Sequence, residues 1–286
     1  MKVVVIGARG RLGAAIVREF QSDAEVVGLT RTELDITDDD AVRAVVGALM
    51  PDVVVNCAAY NAVDAAEDAP VTALQVNAFA VRAIARAAAA AGAVCVHYST
   101  DFVFDGQSDR PYREDDRPNP QSVYAASKLL GEWFAADAPR HHVLRVESLF
   151  GQVDEAPHPG SVATIVARLA AGDEVTVFVD RTVSPTYVVD AAAATRQIVE
   201  RALPSGVYHC VNTGQCTWWD LAQEAARNLG RPARLKPITV DTFPLRASRP
   251  KYAALSNEKL AGFGVTLPAW DDALARSLRP VRGLRL

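Results

Sequence analysis

The chain has few cysteines and no excess of basic residues, and both features limit the functions that we expect of it. The cysteines are dispersed, without the spacing of a metal site, and mostly lie in apolar runs; they are Cys57, Cys95, Cys210 and Cys216. This pattern fits reduced, buried thiols and predicts a cytoplasmic protein. Lys and Arg number 30 against 34 Asp and Glu, a net charge of -4. We therefore expect no nucleic-acid partner and no attraction to an anionic membrane surface.

The chain also lacks a long uninterrupted apolar segment. Its alanine-rich stretch is broken by Arg82 and Arg86, which indicates a buried helix and not a membrane span. The N-terminal "MKVVVIGARG" meets a glycine too early for a signal peptide, so we expect neither membrane insertion nor secretion. Half of the 286 residues are hydrophobic, enough for a substantial core. Small molecules are the expected partners.

Short apolar runs alternate with helix-length segments through the first half of the chain. The strand-like runs are "KVVVIG", "EVVGLT", "DVVVNCAA", "AVCVHYST" and "HHVLRVESLF". This alternation predicts the α/β class, with a Rossmann-type doubly wound parallel sheet. After about Gly151 the segments are punctuated by Pro and Gly. We predict one domain over residues 1–150 and a smaller C-terminal region over residues 151–286, some segments of which return to the first domain.

A glycine-rich segment, "GARGRLG", follows the first predicted strand and opens a helix. Backbone N–H groups and the helix dipole can bind a pyrophosphate at such a junction, although a tight turn alone would also use glycine. The segment predicts a dinucleotide site, and its candidate residues are Gly7, Arg9, Gly10, Arg11, Leu12 and Gly13. The GxxGxxG spacing is typical of short-chain dehydrogenases.

The end of the second predicted strand indicates which dinucleotide binds. Folds selective for NAD often place an acidic residue there, whereas this chain has Thr30 and Arg31. An arginine favours a 2′-phosphate, and Arg9 can reinforce it. We therefore expect NADPH, with NADH as the alternative cofactor. Both arginines could instead be solvated surface charges.

Tyr124 and Lys128 lie four residues apart in "SVYAASKLLGEW", so they share one helix face. That spacing is common on ordinary helices. Other segments make the spacing significant. Together these segments resemble the dTDP-4-dehydrorhamnose reductase family of extended short-chain dehydrogenases, over nearly the whole length of the chain. These segments are "GARGRLG", "ELDITD", "PDVVVNCAAYNAVDAAE", "VNAFAV", "HYSTDFVFDG", "VYAASKLLGE", "SPTYVVD", "RPKYAALSNEKL" and "LPAW".

The resemblance implies reduction of the C4 ketone of a nucleotide-linked 4-keto-6-deoxysugar, with NADPH held by residues 1–150 and substrate by residues 151–286. It implies that Tyr124 donates a proton to the alkoxide, that Lys128 lowers the pKa of Tyr124 and holds the nicotinamide ribose, and that Thr100 hydrogen-bonds the carbonyl oxygen. It adds further cofactor-binding candidates, which are Asp35, Ile36, Ala58, Ala59, Tyr60, Asn77 and Ser99.

The substrate side departs from the family pattern. Asp101 is followed by Phe102, where related dehydratases carry Asp-Glu, so reduction fits better than dehydration. Asp101 either contacts the sugar or caps a turn. Phe102 and Ser148 stand where the family usually has tyrosine and a sugar-stacking tryptophan, which predicts an altered sugar or an altered outcome at C4. Arg249 either grips the substrate diphosphate or forms a surface salt bridge.

Other readings of the sequence stay open. A reductase or epimerase of another nucleotide sugar fits the same motifs. So does a non-catalytic NADP-binding regulatory subunit, since the family resembles the beta subunit of methionine adenosyltransferase. Ala15, not an acidic residue, follows the glycine segment, so we expect no metal. Trp218 and His97 are interpreted as packed residues, and the chain is expected to be a monomer or homodimer.

Overall fold

Residues 1–151 and 160–279 are described by the computed structural model, and within them ten strands form. In chain order they are β1 (Lys2–Ile6), β2 (Glu25–Leu29), β3 (Val53–Asn56), β4 (Val94–Thr100), β5 (His141–Val146), β6 (Val175–Phe178), β7 (Thr182–Val183), β8 (Gly206–His209), β9 (Cys216–Thr217) and β10 (Leu235–Ile238). The described α-helices are α1 (Arg11–Phe20), α2 (Asp39–Leu49), α3 (Val63–Ala66), α4 (Pro70–Leu74), α5 (Ala80–Ala90), α6 (Val123–Ala135), α7 (Gly160–Ala171), α8 (Val188–Glu200), α9 (Trp218–Asn228), α10 (Glu258–Gly262) and α11 (Trp270–Ser277). None of these helices is long and apolar enough to cross a membrane.

Six strands form one parallel sheet in the order β2-β1-β3-β4-β5-β8. Successive side chains of a strand point to opposite faces, so the valine-rich β1 is buried on both. Val3 and Val5 pack with α1 and α8, whereas Val4 and Ile6 pack with α2 and α5. The predicted α/β class and doubly wound parallel sheet are therefore confirmed.

The chain after residue 150 contributes to two structural layers. Helix α8 packs on α1 and strand β8 closes the edge of the main sheet, so this part of the region returns to the first domain. Leu260 of α10 also packs into the core of the main sheet. A separate apolar core forms around α7, α9 and α11, with β6 paired to β10 and β7 paired to β9. The functional division at residue 150 stays a prediction.

Helix α6 packs very closely against a single π-helical turn at Gln75–Phe79. The closest point is Gly131, where a Cβ atom would lie 2.1 Å from the backbone oxygen of Asn77. Only glycine allows this approach without movement of the backbone. This contact fixes how closely α6 packs beside β4, and hence where its side chains lie relative to the carboxyl ends of the strands.

This packing predicts opposite effects for two Gly→Ala substitutions in helices. Gly131→Ala should lower the free energy of unfolding by about 3 kcal/mol or more, because the new methyl group meets backbone and not a flexible side chain. Gly47→Ala in α2 is the control, since nothing lies within 4 Å of its Cβ position; it should raise stability by about 0.5 to 1 kcal/mol. Urea unfolding measures both. Equal effects would contradict the assigned role of Gly131.

Candidate active site

A cavity of about 880 Å³ opens at the carboxyl ends of the central strands. Fourteen of the predicted site residues form part of its wall: Gly10, Arg11, Leu12, Gly13, Ala58, Ala59, Ser99, Thr100, Asp101, Phe102, Tyr124, Lys128, Ser148 and Arg249. The other predicted residues lie outside the wall: Gly7, Arg9, Arg31, Asp35, Ile36, Tyr60 and Asn77. The sheet order explains the position, because β1 is flanked by β2 and β3, and ligands bind where the strand order reverses.

The glycine segment makes one end of the cavity suitable for a pyrophosphate. Gly7 has a φ of +80°, and a Cβ there would lie 2.8 Å from the backbone nitrogen of Ala58. A Cβ at Gly13 would lie 2.2 Å from the Gly7 oxygen. Helix α1 begins just after Gly10, so its first-turn N–H groups meet the cavity without a capping side chain. These features fit a dinucleotide phosphate at a helix N-terminus.

The residues predicted for the adenosine end lie on the surface around β2. Arg9, Arg31 and Asp35 are exposed, while Ile36 is buried in the core beside α2. Hydrogen bonds from Thr37 lower the pKa of the Asp35 carboxyl, and Arg31 adds to the effect. Arg31 therefore lies close to the acidic residue predicted for the adenine.

Sequence reasoning overlooked one carboxylate at the same place. Glu33 accepts a hydrogen bond from the backbone nitrogen of Thr30 at 2.7 Å and another from the Thr30 hydroxyl, and these bonds lower the pKa of Glu33. An acidic residue thus lies next to Arg31, although not at the end of β2 itself. Because Oε2 of Glu33 already accepts both bonds from Thr30, this carboxylate has less hydrogen-bonding capacity left for a ribose than one without such partners.

Asn77 lies behind the cavity wall and positions it. Its Oδ1 accepts from the Tyr60 backbone nitrogen at 2.8 Å, and its Nδ2 donates to the Tyr60 oxygen at 3.1 Å and to Ser127 Oγ at 3.0 Å. It therefore links the loop after β3 to α6. Ser99 does reach the wall, but its hydroxyl donates to Glu132 Oε1 at 2.5 Å.

The three predicted reacting residues line the same cavity. Ser122 caps α6 by accepting from the Ala125 nitrogen at 3.2 Å, which places Tyr124 in the first turn and Lys128 one turn later. Both side chains are buried, and Thr100 ends the neighbouring strand β4. Burial raises the pKa of Tyr124 above its usual value, the charge of Asp101 raises it further, and interaction with the Thr100 hydroxyl lowers it only in part. The expected lowering is therefore not found, because burial dominates.

Lys128 lies in an unusual setting for an ammonium group. Its Nζ donates to the Tyr98 carbonyl oxygen at 2.6 Å and lies 3.5 Å from His97 Nε2. Burial lowers the pKa of Lys128 to about 8. Burial and the lysine charge together lower the pKa of His97, so the imidazole is neutral. His97 is buried as expected, but it also contacts the predicted catalytic lysine.

Thr100, and not Asp101, caps the short 3₁₀ turn at Asp101–Val103. Thr100 Oγ1 accepts from the Phe102 nitrogen at 3.2 Å and donates to Asp101 Oδ1 at 2.9 Å. Burial raises the pKa of Asp101 to about 6. The Phe102 ring packs edge-on against Tyr124, with centroids 5.6 Å apart. Asp101 thus touches the hydroxyl group that is predicted to orient the ketone.

The two remaining substrate candidates are Arg249 and Ser148. Arg249 donates through Nη2 to Asp64 Oδ2 at 2.8 Å, and its guanidinium lies 5.7 Å from the Phe102 ring centroid. The salt bridge considered from the sequence is thus present, with Arg249 still part of the wall. Ser148 has a φ of +44°, which is uncommon for a residue other than glycine and is typical of functional sites.

Two wall residues were missed or interpreted differently from the sequence. Arg181 is buried in the wall and was not singled out, because it lies just before the motif "SPTYVVD" and outside it. Trp218, interpreted as a packed residue, is also in the wall; Thr217 caps its helix through a capping box with Asp220. In the described residues, no group of three or more His, Cys, Asp or Glu side chains could hold a metal ion. The expected absence of a metal stays a prediction.

The setting of Lys128 predicts how binding of NADPH, the expected cofactor, depends on pH. The ammonium loses its charge as the pH rises through about 8, and with it the attraction to an anionic dinucleotide. NADPH affinity, followed by cofactor fluorescence, should fall above that pH. The Lys128→Met protein should bind more weakly and lose this alkaline decline. An affinity of the unmodified protein that stays constant through pH 8 would contradict the assignment.

Comparisons with known proteins show which proteins this chain is similar to. A family model described as RmlD substrate binding domain matches residues 1–282. A dTDP-4-dehydrorhamnose reductase of Streptomyces griseus is 38% identical over 299 residues, covering 99% of this chain and 97% of that protein. A probable dTDP-4,6-dihydroxy-2-methyloxan-3-one 4-ketoreductase of Streptomyces antibioticus is 37% identical, covering 96% and 93%. The structure of dTDP-4-dehydrorhamnose reductase from Bacillus anthracis str. Ames in complex with NADP has a TM-score of 0.90 at 31% identity, covering 96% and 98%.

Proposed function

The chain belongs to the dTDP-4-dehydrorhamnose reductase family, and from this membership we propose that it is an NADPH-dependent reductase of a nucleotide-linked 4-keto-6-deoxysugar. One observation carries the proposal. Thr100, Tyr124 and Lys128 meet in the wall of the cavity that also receives the glycine segment. A cofactor on that segment and a ketone at Tyr124 would therefore share one enclosed space.

Each of the three residues has a distinct task in this mechanism. Bound NADPH supplies the hydride that reduces the ketone carbon. Thr100 orients the ketone oxygen, and Tyr124 transfers its phenolic proton to that oxygen as negative charge develops. Because Thr100 donates to Asp101 in this structure, it must turn its hydroxyl proton toward the substrate. Lys128 lies within the same wall and places a positive charge beside the reacting groups.

The identity of the sugar is a finer question. Among the relatives, the Streptomyces antibioticus protein is named as a 4-ketoreductase of a sugar other than 4-dehydrorhamnose. The apolar Phe102 and the small Ser148 line this cavity, which favours a substrate that differs from dTDP-4-dehydrorhamnose in its substituents. dTDP-4-dehydrorhamnose is the first substrate to test, followed by its C5 epimer. An epimerase and a non-catalytic regulatory subunit are the alternative functions, and the assays of NADPH oxidation below also test them.

Several expectations from the sequence stay predictions. The cytoplasmic location rests on the reduced thiols. The expectation of a monomer or homodimer comes from the sequence alone. The assignment of cofactor to the first domain and substrate to the region after residue 150 is supported by the cavity wall, which includes Gly10 from the first domain and Arg181 and Arg249 from the second region.

Replacing Tyr124 by Phe tests the proposed reduction. The variant should lower kcat by about 10² or more, because it removes the general acid and keeps the ring, while NADPH affinity stays nearly unchanged. NADPH oxidation in the presence of dTDP-4-dehydrorhamnose and its C5 epimer measures the effect. Tyr252→Phe is the matched control, since its hydroxyl bonds to Gln215 outside the cavity wall. An unmodified protein that binds NADPH but oxidises none of it would favour the regulatory reading.

Replacing Arg31 by Ala tests the cofactor preference. NADPH should bind more tightly than NADH to the unmodified protein, and the variant should lose about tenfold in NADPH affinity, because a charge-assisted hydrogen bond to the 2′-phosphate disappears. NADH affinity should barely change. Arg43→Ala on α2 is the control, because Arg43 is exposed and paired with Asp40. Equal losses for both cofactors would show that Arg31 does not read the 2′-phosphate.

A further inference from the structure

A histidine of the main sheet directs one ring nitrogen at the buried lysine. His97 on β4 lies opposite Asn56 at the end of β3, in register within the parallel sheet. Both side chains are buried, as is Lys128. The imidazole joins them, because its Nδ1 lies 3.2 Å from Asn56 Nδ2 and its Nε2 lies 3.5 Å from Lys128 Nζ. A chain of buried polar groups thus runs from β3 through β4 to α6.

The backbone after β3 fixes the direction of the Asn56 amide. Asn56 Oδ1 accepts a hydrogen bond from the Ala58 nitrogen at 3.1 Å. Its Nδ2, which can only donate, is therefore the atom that faces His97. His97 Nδ1 must accept this bond, because two donors cannot pair. Burial and the charge of Lys128 lower the pKa of His97, so the imidazole is neutral and its single proton lies on Nε2.

The proton on Nε2 of His97 opposes the charge of Lys128. Among the described residues, Nε2 has Lys128 Nζ as its one hydrogen-bond partner, and a Cβ at Gly131 would lie only 3.4 Å from it. An ammonium group has three donors and no acceptor, so it cannot pair with this N–H. A neutral amine can accept from Nε2–H while it donates to the Tyr98 oxygen, which lies 2.6 Å from Nζ. The ring therefore favours the neutral form of the lysine.

Other groups around Lys128 act in both directions. Burial lowers its pKa, whereas Glu132 on α6 and Cys57 after β3 raise it. Glu132 is engaged by Arg145, whose Nε and Nη2 donate to its two oxygens at 2.8 and 2.7 Å. Burial raises the pKa of the Cys57 thiol, so this group is neutral. The contribution of the His97 N–H can be separated from theirs by substitution, because these groups come from other positions.

We propose that His97, held in one tautomer by Asn56, is a positioning residue that acts through Lys128 and sets the pH above which this lysine no longer attracts NADPH. This inference rests on the proposed function and deepens it. His97 is not part of the cavity wall, whereas Lys128 is. The effect of the imidazole on a bound cofactor therefore passes through the charge of the lysine.

His97→Gln tests the proposal, because the glutamine amide can turn its oxygen toward Lys128 and accept from the ammonium. The alkaline decline of NADPH affinity should move up by about one to two pH units, since a hydrogen bond to a charged group and a pKa shift of this size have comparable free energies. At lower pH the affinity should stay nearly unchanged. His142→Gln is the matched control, since His142 is also buried in the main sheet but its pKa depends on burial, His141 and Arg140. Fluorescence titrations at a series of pH values measure these affinities.

NMR of the histidine ring nitrogens tests the tautomer directly. In the unmodified protein the His97 ring should carry its proton on Nε2. In Asn56→Asp the carboxylate can accept from both the Ala58 N–H and the imidazole, so the His97 proton should move to Nδ1. Nε2 then accepts from Lys128, and the decline in NADPH affinity should again move to higher pH. Asn56→Asp thus tests the proposal should His97→Gln not fold.

The outcomes separate the role of His97 from the proposed function. A proton on Nδ1 of His97 in the unmodified protein would overturn the proposal. So would a decline in NADPH affinity that stays at the same pH in every variant that folds, or one that moves equally in His142→Gln. If the shifts occur but the unmodified protein reduces no nucleotide-linked 4-keto-6-deoxysugar, the proposed function fails and the role of His97 stands. Failure to bind NADPH at any pH would overturn both.

Discussion

The burial of the Lys128 ammonium group constrains the rest of the site. A charged lysine is rarely buried without a partner, and here the partner is the backbone oxygen of Tyr98 on β4. The buried pair of Glu132 and Arg145, 2.7 Å apart, joins α6 to β5. Because α6 is held to β4 and β5 in this way, Tyr124 keeps a fixed position near the carboxyl ends of these strands. A preorganised acid needs no reorganisation at the moment of proton transfer.

The wall of the cavity differs in charge from place to place. At Gly10 it offers the positive pole of α1, which suits phosphate groups. Elsewhere it includes the buried Arg181 and Asp101, and the attraction between these two side chains opposes the effect of burial on both pKa values. Lys128 is a further buried cation of the wall. One enclosed space thus contains partners for a phosphate and for other polar groups.

The sequence predicted those features that depend on residues close to one another along the chain. The glycine segment, the position of Tyr124 and Lys128 in one cavity wall and the parallel sheet all follow from local patterns of a few residues. Arg181 and Trp218 could not be assigned, because their position depends on how the segments after residue 151 pack on the sheet. The direction of the Tyr124 pKa shift was also mispredicted, since burial is a property of the whole fold and outweighs a single nearby charge.

The place of β8 in the main sheet has a consequence for how the protein folds during synthesis. Strand β5 pairs with β8 from His142 opposite Gly206 to Arg145 opposite His209. Until β8 leaves the ribosome, β5 is an edge strand with unpaired N–H and C=O groups, and such edges favour aggregation. The first 150 residues therefore cannot complete the main sheet by themselves. Cutting the chain near residue 150 would expose this edge permanently, so the two regions form one folding unit.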